Sequence, residues 1–220
     1  MTWSGAKLAK LGLETTIDAG CNLYMTLKGR KSGPGLVIGS HLDSVPRGGN
    51  FDGAAGVLMG LAVLSGFVKA GITPERDITV MAIRAEESVW FGASYIGSRM
   101  AFGLMDSKEL MALKRSSDKV SLLSAIEANG GNAAAIAAGE GYLSPETVGM
   151  FIEPHIEQGP VLVERKIPIG IVTGIRGSFR FRAARCLGEY GHSGATPRTY
   201  RSETRSAPFP HWSCAWMKHG

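Results

Sequence analysis

The sequence predicts an α/β domain, in which helices pack on the faces of a β-sheet. Two short apolar runs, residues 35–39 and 77–83, have the length and the flanking turns of strands buried on both faces. Between them, residues 53–70 form a long apolar stretch rich in Ala and Leu, which predicts a buried helix. The alternation of strand, helix and strand is typical of a sheet covered by helices.

The other elements of this domain follow in chain order. Residues 5–12 predict the last turns of an amphipathic helix, and residues 14–29 predict a strand with a turn because β-branched and aromatic residues favour extended structure. Later helices are predicted over 95–102, 107–115 and 117–129.

The last part of the chain returns to extended structure. Residues 149–155 predict a strand, 161–174 a hairpin-like pair, and 179–183 a half-exposed strand with alternating polarity. A composition shift near Arg176 indicates a domain boundary.

Composition excludes several protein classes. A hydrophobic content of 44% with 20% charged residues excludes a disordered polymer. No apolar run is long enough for a membrane helix, and the N-terminus has no signal-peptide pattern. Three widely spaced cysteines fit a reducing compartment, so we expect a soluble cytoplasmic protein.

The net charge of +5 does not indicate a nucleic-acid-binding protein. Residues 1–175 hold 16 basic and 17 acidic residues, whereas residues 176–220 hold 8 basic and 2 acidic ones. The basic charge therefore belongs to the last fifth of the chain, where no nucleic-acid-binding motif is present.

Metal-ligating side chains follow three predicted strands. His41, Asp43 and Asp52 come after the first, the Glu86–Glu87 pair after the second, and His155 lies at the end of the third. Imidazole and carboxylate are the usual ligands of zinc and manganese, and two adjacent carboxylates repel each other without a cation or a shared proton. A single histidine at a strand end is more often structural, but three such ends together predict a metal site of the hydrolase type.

Four motifs carry a resemblance to a known family: HLDSVPRGGNFDGAAGV, AEE, FIEPHIEQGPVLVE and GHSGATP. In order and spacing they resemble the M20 metallopeptidase-related amidohydrolases, and specifically the branch of N-carbamoyl-L-amino-acid hydrolases, allantoate amidohydrolases and β-ureidopropionases. The resemblance covers about residues 5–200. It implies a three-layer α/β catalytic domain, here incomplete, followed by the beginning of an α+β lid and dimerisation domain.

The resemblance also implies a metal centre with two divalent ions, which are Zn, Mn, Ni or Co. His41 and His155 resemble the ligands of one ion, Glu87 resembles the ligand of the other, and Asp52 resembles the carboxylate that bridges both. The family's last metal ligand, a histidine near its C-terminus, has no counterpart here.

Four further roles follow from the same motifs. Glu86 resembles the general base and acid, and Asp43 the carboxylate that fixes the tautomer of the His41 imidazole. Gln158 resembles a substrate contact, and His192 the lid histidine that stabilises the oxyanion. The alternatives are a loop cap for Asp43, a structural hydrogen bond for Gln158 and a conformational role for His192.

The implied domain organisation has three parts. Residues 1–175 are expected to form the N-terminal part of the metal-binding domain and 176–197 the start of the lid. Residues 198–220 depart from the family pattern and resemble translation in a shifted reading frame. We therefore expect a chain truncated at both ends relative to the family, with an impaired family homodimer and a flexible, self-associating tail.

The function implied is hydrolysis of linear ureido or amide C–N bonds in a small-molecule substrate, such as an N-carbamoyl amino acid or an allantoate-like compound, and we expect the truncation to impair it. The alternatives are an aminoacylase or dipeptidase of the wider M20 group and a non-catalytic remnant. No nucleic-acid or membrane partner is expected.

Overall fold

The computed structural model describes residues 11–175 of the chain. Their strands form one five-stranded sheet with the order β1-β2-β4-β3-β5. The strands are β1 (Glu14–Ile17), β2 (Leu23–Leu27), β3 (Gly35–His41), β4 (Ile78–Ile83) and β5 (Val148–Ile152). The predicted α/β class is confirmed, and the sheet is mixed because β1 and β2 run antiparallel to their neighbours.

Helices of the described residues cover both faces of this sheet. They are α1 (Ala54–Lys69), α2 (Ser88–Phe91), α3 (Ile96–Ala101), α4 (Ser107–Ala112), α5 (Leu122–Ala128), α6 (Ala133–Ala137) and α7 (Val161–Glu164). Helix α1 connects β3 to β4, and these two strands are parallel, as a helical crossover requires.

The side chains of β4 show how the two faces are buried. Val80 and Ala82 pack with α1 in one core cluster, whereas Met81 and Ile83 pack with Ala101 of α3 on the other side. Because successive side chains of a strand point to opposite faces, a strand between two helical layers is apolar on both faces. The apolar run that predicted this strand therefore follows from its central position, and its one polar residue, Thr79, shares a hydrogen bond with the hydroxyl of Thr26.

A third core cluster lies among α3 to α6 and holds the helices together. Its buried members are Ile96, Met100, Met105, Leu110, Leu122, Ile126, Ala133 and Ile136. Helices α4 and α5 begin at residues whose side chains cap them, since Asp106 accepts from the Glu109 N–H and Ser121 accepts from the Ser124 N–H. The Ser121 cap is why α5 begins later than the helix predicted over 117–129.

The hairpin predicted over 161–174 is wrong. Residues 161–164 form the short helix α7, and no strand follows it up to residue 175. The two carboxylate oxygens of Glu157 accept hydrogen bonds from the N–H groups of Val161 and Leu162, which fixes the first turn of the helix. Here the capping carboxylate outweighs the preference of Val and Ile for extended structure.

Several expectations lie outside the described residues. These are most of the helix at 5–12, the strand at 179–183, the lid segment, His192 and the tail at 198–220. The chain divides into two compact units, Met1–Pro168 and Ile169–Gly220, and the residues discussed below belong to the first. None of the described helices is long and apolar enough to cross a membrane.

Replacing Leu64 with Ala should lower the free energy of unfolding by about 2–5 kcal/mol, because this side chain of α1 is fully buried against the sheet. Leu58→Ala is the matched control on the same helix, since Leu58 is 47% exposed, and it should cost less than about 1 kcal/mol. Urea denaturation measures both, and equal losses would contradict the packing of α1.

Candidate metal centre

Three strand ends meet at one edge of the sheet. Strands β3, β4 and β5 are mutually parallel, and His41 at the end of β3 pairs in register with Ile83 at the end of β4. The Glu86–Glu87 pair follows β4, and His155 follows β5. The carboxyl edge of a parallel sheet is where α/β proteins place their binding sites.

The first group of ligand-type atoms joins His41, Asp52 and His155. The Asp52 Oδ1 atom lies 3.2 Å from His155 Nε2 and 3.8 Å from His41 Nε2. His41 is 2% exposed, and the Asp52 side chain is 16% exposed. The two imidazoles therefore face one carboxylate oxygen that is largely shielded from water.

Backbone carbonyls fix the orientation of both imidazoles. His41 Nδ1 lies 2.7 Å from the carbonyl oxygen of Asp43, and His155 Nδ1 lies 2.7 Å from that of Ile156. A carbonyl only accepts, so each Nδ1 must carry the proton and donate it. Each Nε2 then presents a lone pair toward Asp52.

The residues of this group fit a divalent metal ion. Asp52 Oδ1 is buried and has no hydrogen-bond partner among the described residues, whereas Oδ2 accepts from Gln158 Nε2 at 2.8 Å. A buried carboxylate oxygen that faces two imidazole lone pairs is unfavourable unless a cation or a proton lies between them. Two imidazoles and a carboxylate are the donor set that zinc and similar ions take.

The second group joins His41, Glu86 and Glu87. Glu86 Oε2 lies 3.9 Å from His41 Nε2, so His41 belongs to both groups. Burial raises the pKa of Glu86; the neighbouring His41 lowers it, while Glu87, Asp43 and Glu153 raise it further. A carboxyl group with a raised pKa beside a metal site suits proton transfer.

Two predicted site residues make contacts that their motifs did not indicate. The carboxylate of Asp43 lies 3.9 Å from His41 Nδ1, and it is the backbone carbonyl of Asp43 that the imidazole meets at 2.7 Å. Gln158 donates to Asp52, across 106 residues of sequence. The structure thus brings together His41, Asp43, Asp52, Glu86, Glu87, His155 and Gln158, while His192 lies outside the described residues.

Gly53 is a site residue that the sequence analysis missed. It precedes α1 with φ +65°, and a Cβ atom there would lie 2.5 Å from His41 Nδ1 and 2.6 Å from His41 Cε1. Only glycine combines this left-handed conformation with so close an approach to the imidazole. The available signal was the glycine directly after a predicted ligand at the start of a helix.

Gly53→Ala should weaken metal binding and lower the free energy of unfolding. The decrease should exceed about 1–2 kcal/mol, which is the cost of the left-handed conformation alone. Gly71→Ala is the matched control, because Gly71 has the same φ of +65° and open space around its Cβ position. The Gly71→Ala variant introduces the left-handed backbone strain but no contact with His41. Thermal unfolding and metal titration compare the variants, and identical behaviour would mean that Gly53 does not position His41.

Comparisons with known proteins show which family the chain belongs to. The model of peptidase family M28 matches residues 22–141, more than half of the chain. The chain is 34% identical to an N-carbamoyl-L-amino-acid amidohydrolase of Pseudomonas sp. (strain NS671), over 89% of this chain and 47% of the relative. It is also 34% identical to a probable allantoate deiminase of Oryza sativa subsp. japonica, over 87% of this chain and 39% of the relative.

Solved structures give the same assignment. A hydantoinase/carbamoylase family amidase from Burkholderia ambifaria matches with a TM-score of 0.65 and 27% identity, over 97% of this chain and 49% of that one. The chain thus spans about half the length of the relatives it matches, or less. The resemblance seen in the motifs is confirmed: the chain belongs to peptidase family M28, in the M28/M20-like group that includes the carbamoylases and allantoate deiminases.

Proposed function

We propose that this chain carries the metal-binding part of an amidohydrolase that cleaves linear ureido or amide C–N bonds. The substrate is a small molecule, either an N-carbamoyl amino acid or an allantoate-like compound. The observation that supports this most directly is the buried Oδ1 of Asp52, which has no described hydrogen-bond partner and faces the Nε2 atoms of His41 and His155. The activities for which the relatives are named support this substrate class.

Two divalent ions, of Zn, Mn, Ni or Co, are proposed for the centre. His41, Asp52 and His155 would hold the first, Glu87 would contribute to the second, and Asp52 is the carboxylate that could serve both. A divalent ion at this position would supply a Lewis acid for the substrate carbonyl and for water at neutral pH.

The protein's own groups have separate tasks in this proposal. The Glu86 carboxylate takes a proton from the attacking water and returns it to the leaving nitrogen, a role that suits its raised pKa. Gln158 donates to Asp52 Oδ2 and so holds the carboxylate with Oδ1 toward the two imidazoles. The carbonyls that accept from the Nδ1 atoms keep both Nε2 lone pairs available.

The remaining parts of the proposal concern residues beyond the metal centre. Residues 1–175 are assigned to the catalytic domain, 176–197 to the start of a lid, and 198–220 to an atypical tail. His192 in the lid would stabilise the oxyanion of the substrate. A cytoplasmic location and a homodimer complete this proposal.

A peptidase or aminoacylase activity is the second candidate, because the family model that matches is that of a peptidase family. The same metal centre serves both reactions, since each is the attack of water on a carbonyl carbon attached to nitrogen. The two candidates differ only in the group that flanks the carbonyl.

A substrate panel tests these assignments. The full chain, loaded with zinc or manganese, is assayed with an N-carbamoyl-L-amino acid, allantoate, an N-acetyl amino acid and a dipeptide. We expect turnover of a ureido substrate. Turnover of the dipeptide or the N-acetyl amino acid alone would support the second candidate, and metal binding without any turnover would identify a non-catalytic remnant.

A further inference from the structure

The carboxylate of Asp43 binds the backbone of the loop that carries the two glutamates. Its Oδ1 accepts from the N–H of Glu86 at 3.1 Å, and its Oδ2 accepts from the N–H of Glu87 at 3.0 Å. Within residues 11–175 these two N–H groups have no other acceptor. One side chain from the end of β3 therefore holds the segment that follows β4.

The backbone of Asp43 has a different task. Its carbonyl oxygen accepts from His41 Nδ1 at 2.7 Å, whereas its carboxylate Oδ1 is 3.9 Å from the same nitrogen. A distance of 3.9 Å is too long for a hydrogen bond. The imidazole is thus held by the main chain of Asp43, and the side chain is left free for the loop.

The loop that carries Glu86 and Glu87 requires stabilising contacts of this kind. Ala85 adopts φ +52°, a left-handed conformation that costs a residue with a Cβ atom about 1–2 kcal/mol. Asp43 also places a third carboxylate next to those of Glu86 and Glu87, which like-charge repulsion opposes. Two charge-assisted hydrogen bonds to backbone N–H groups offset both costs.

We propose that the Asp43 carboxylate positions the Glu86–Glu87 backbone relative to His41 and does not set the tautomer of the His41 imidazole. Asp43 would thereby couple the two groups of ligand-type side chains, His41 through its main chain and the glutamates through its side chain. It is a positioning residue, and only the metal readout below rests on the proposed function.

The first test uses the metal-free full chain and NMR. In Asp43→Ala, amide hydrogen exchange at Glu86 and Glu87 should become about tenfold faster or more, because each N–H loses its acceptor. The ¹⁵N shifts of His41 should still report the tautomer with the proton on Nδ1. Unchanged exchange at the two glutamates, or loss of that tautomer, would overturn the proposal.

Two further variants keep this test decisive. Asp106→Ala is the matched control, since Asp106 also accepts from a backbone N–H, that of Glu109, at the start of α4. It should change exchange at Glu109 and leave Glu86 and Glu87 unaffected. If Asp43→Ala does not fold by circular dichroism, Asp43→Asn retains the shape and one acceptor oxygen, and it should accelerate exchange at one of the two glutamates.

The second test is a zinc titration in a double-mutant cycle. Asp43→Ala should weaken zinc binding about 10–100-fold, as loss of a residue that orients a ligand does. In the Glu87→Ala background the same substitution should change the affinity by less than about threefold, because its effect passes through the loop. A full additional loss there would place the action of Asp43 on His41 and refute the proposal. A wild-type chain that binds no zinc would refute the proposed function, while the exchange result would still decide the role of Asp43.

Discussion

Replacing His41 and Asp52 together with Ala is expected to lower the affinity for divalent metal by about 100-fold or more. His41 belongs to both groups of ligand-type atoms, and Asp52 Oδ1 is the buried oxygen that both imidazoles face. After the double substitution the first group retains only His155, which cannot hold a cation alone. Metal analysis of the purified protein and zinc titration give the two readouts.

The control for this experiment is the double variant Glu75→Ala/Asp106→Ala. It removes two carboxylates, one paired with Lys31 before β4 and one at the start of α4, and neither residue follows one of the three strand ends. Its metal content should equal that of the wild type. If the His41/Asp52 variant retained equal metal, the ligands would have to lie elsewhere in the chain.

Glu86→Gln is expected to leave metal content unchanged and to reduce any hydrolysis about 10²–10⁴-fold, the usual contribution of a general acid or base. Glutamine keeps the size of the side chain but cannot accept and return a proton. Because Glu86 is proposed to transfer the proton in the transition state, the loss should appear in kcat more than in KM.

Glu87→Gln is the matched comparison for this prediction, because it is the neighbouring carboxylate on the same loop. We expect it to lose metal, and activity only as a consequence. The reverse pattern, with metal lost from Glu86→Gln and retained in Glu87→Gln, would show that the roles of the two glutamates are exchanged.

The elements that position the candidate metal centre could be predicted because the apolar residues of each element follow one another in the sequence. Strands β3 and β4 are largely apolar because they lie between two helical layers. Helix α1 has no charged residue before Lys69, but Leu58, Met59 and Val63 are exposed, so the helix that was predicted to be buried is buried on one face only. The prediction of a hairpin over 161–174 was wrong because a strand also needs a neighbouring strand with which to pair. Val161–Glu164 instead forms a short helix whose first N–H groups donate to the Glu157 carboxylate. The Val and Ile content of this segment gives no sign of that contact.

The sequence alone predicted that these ligand-type side chains lie together, since His and acidic residues that follow parallel strands share one edge of the sheet. Only the tertiary structure decided what each atom does. Asp43 contacts a loop 43 residues away, and Gln158 contacts Asp52 across 106 residues. A hydrogen bond depends on distances of a few tenths of an ångström between such segments, and residue spacing along the chain contains no information at that scale.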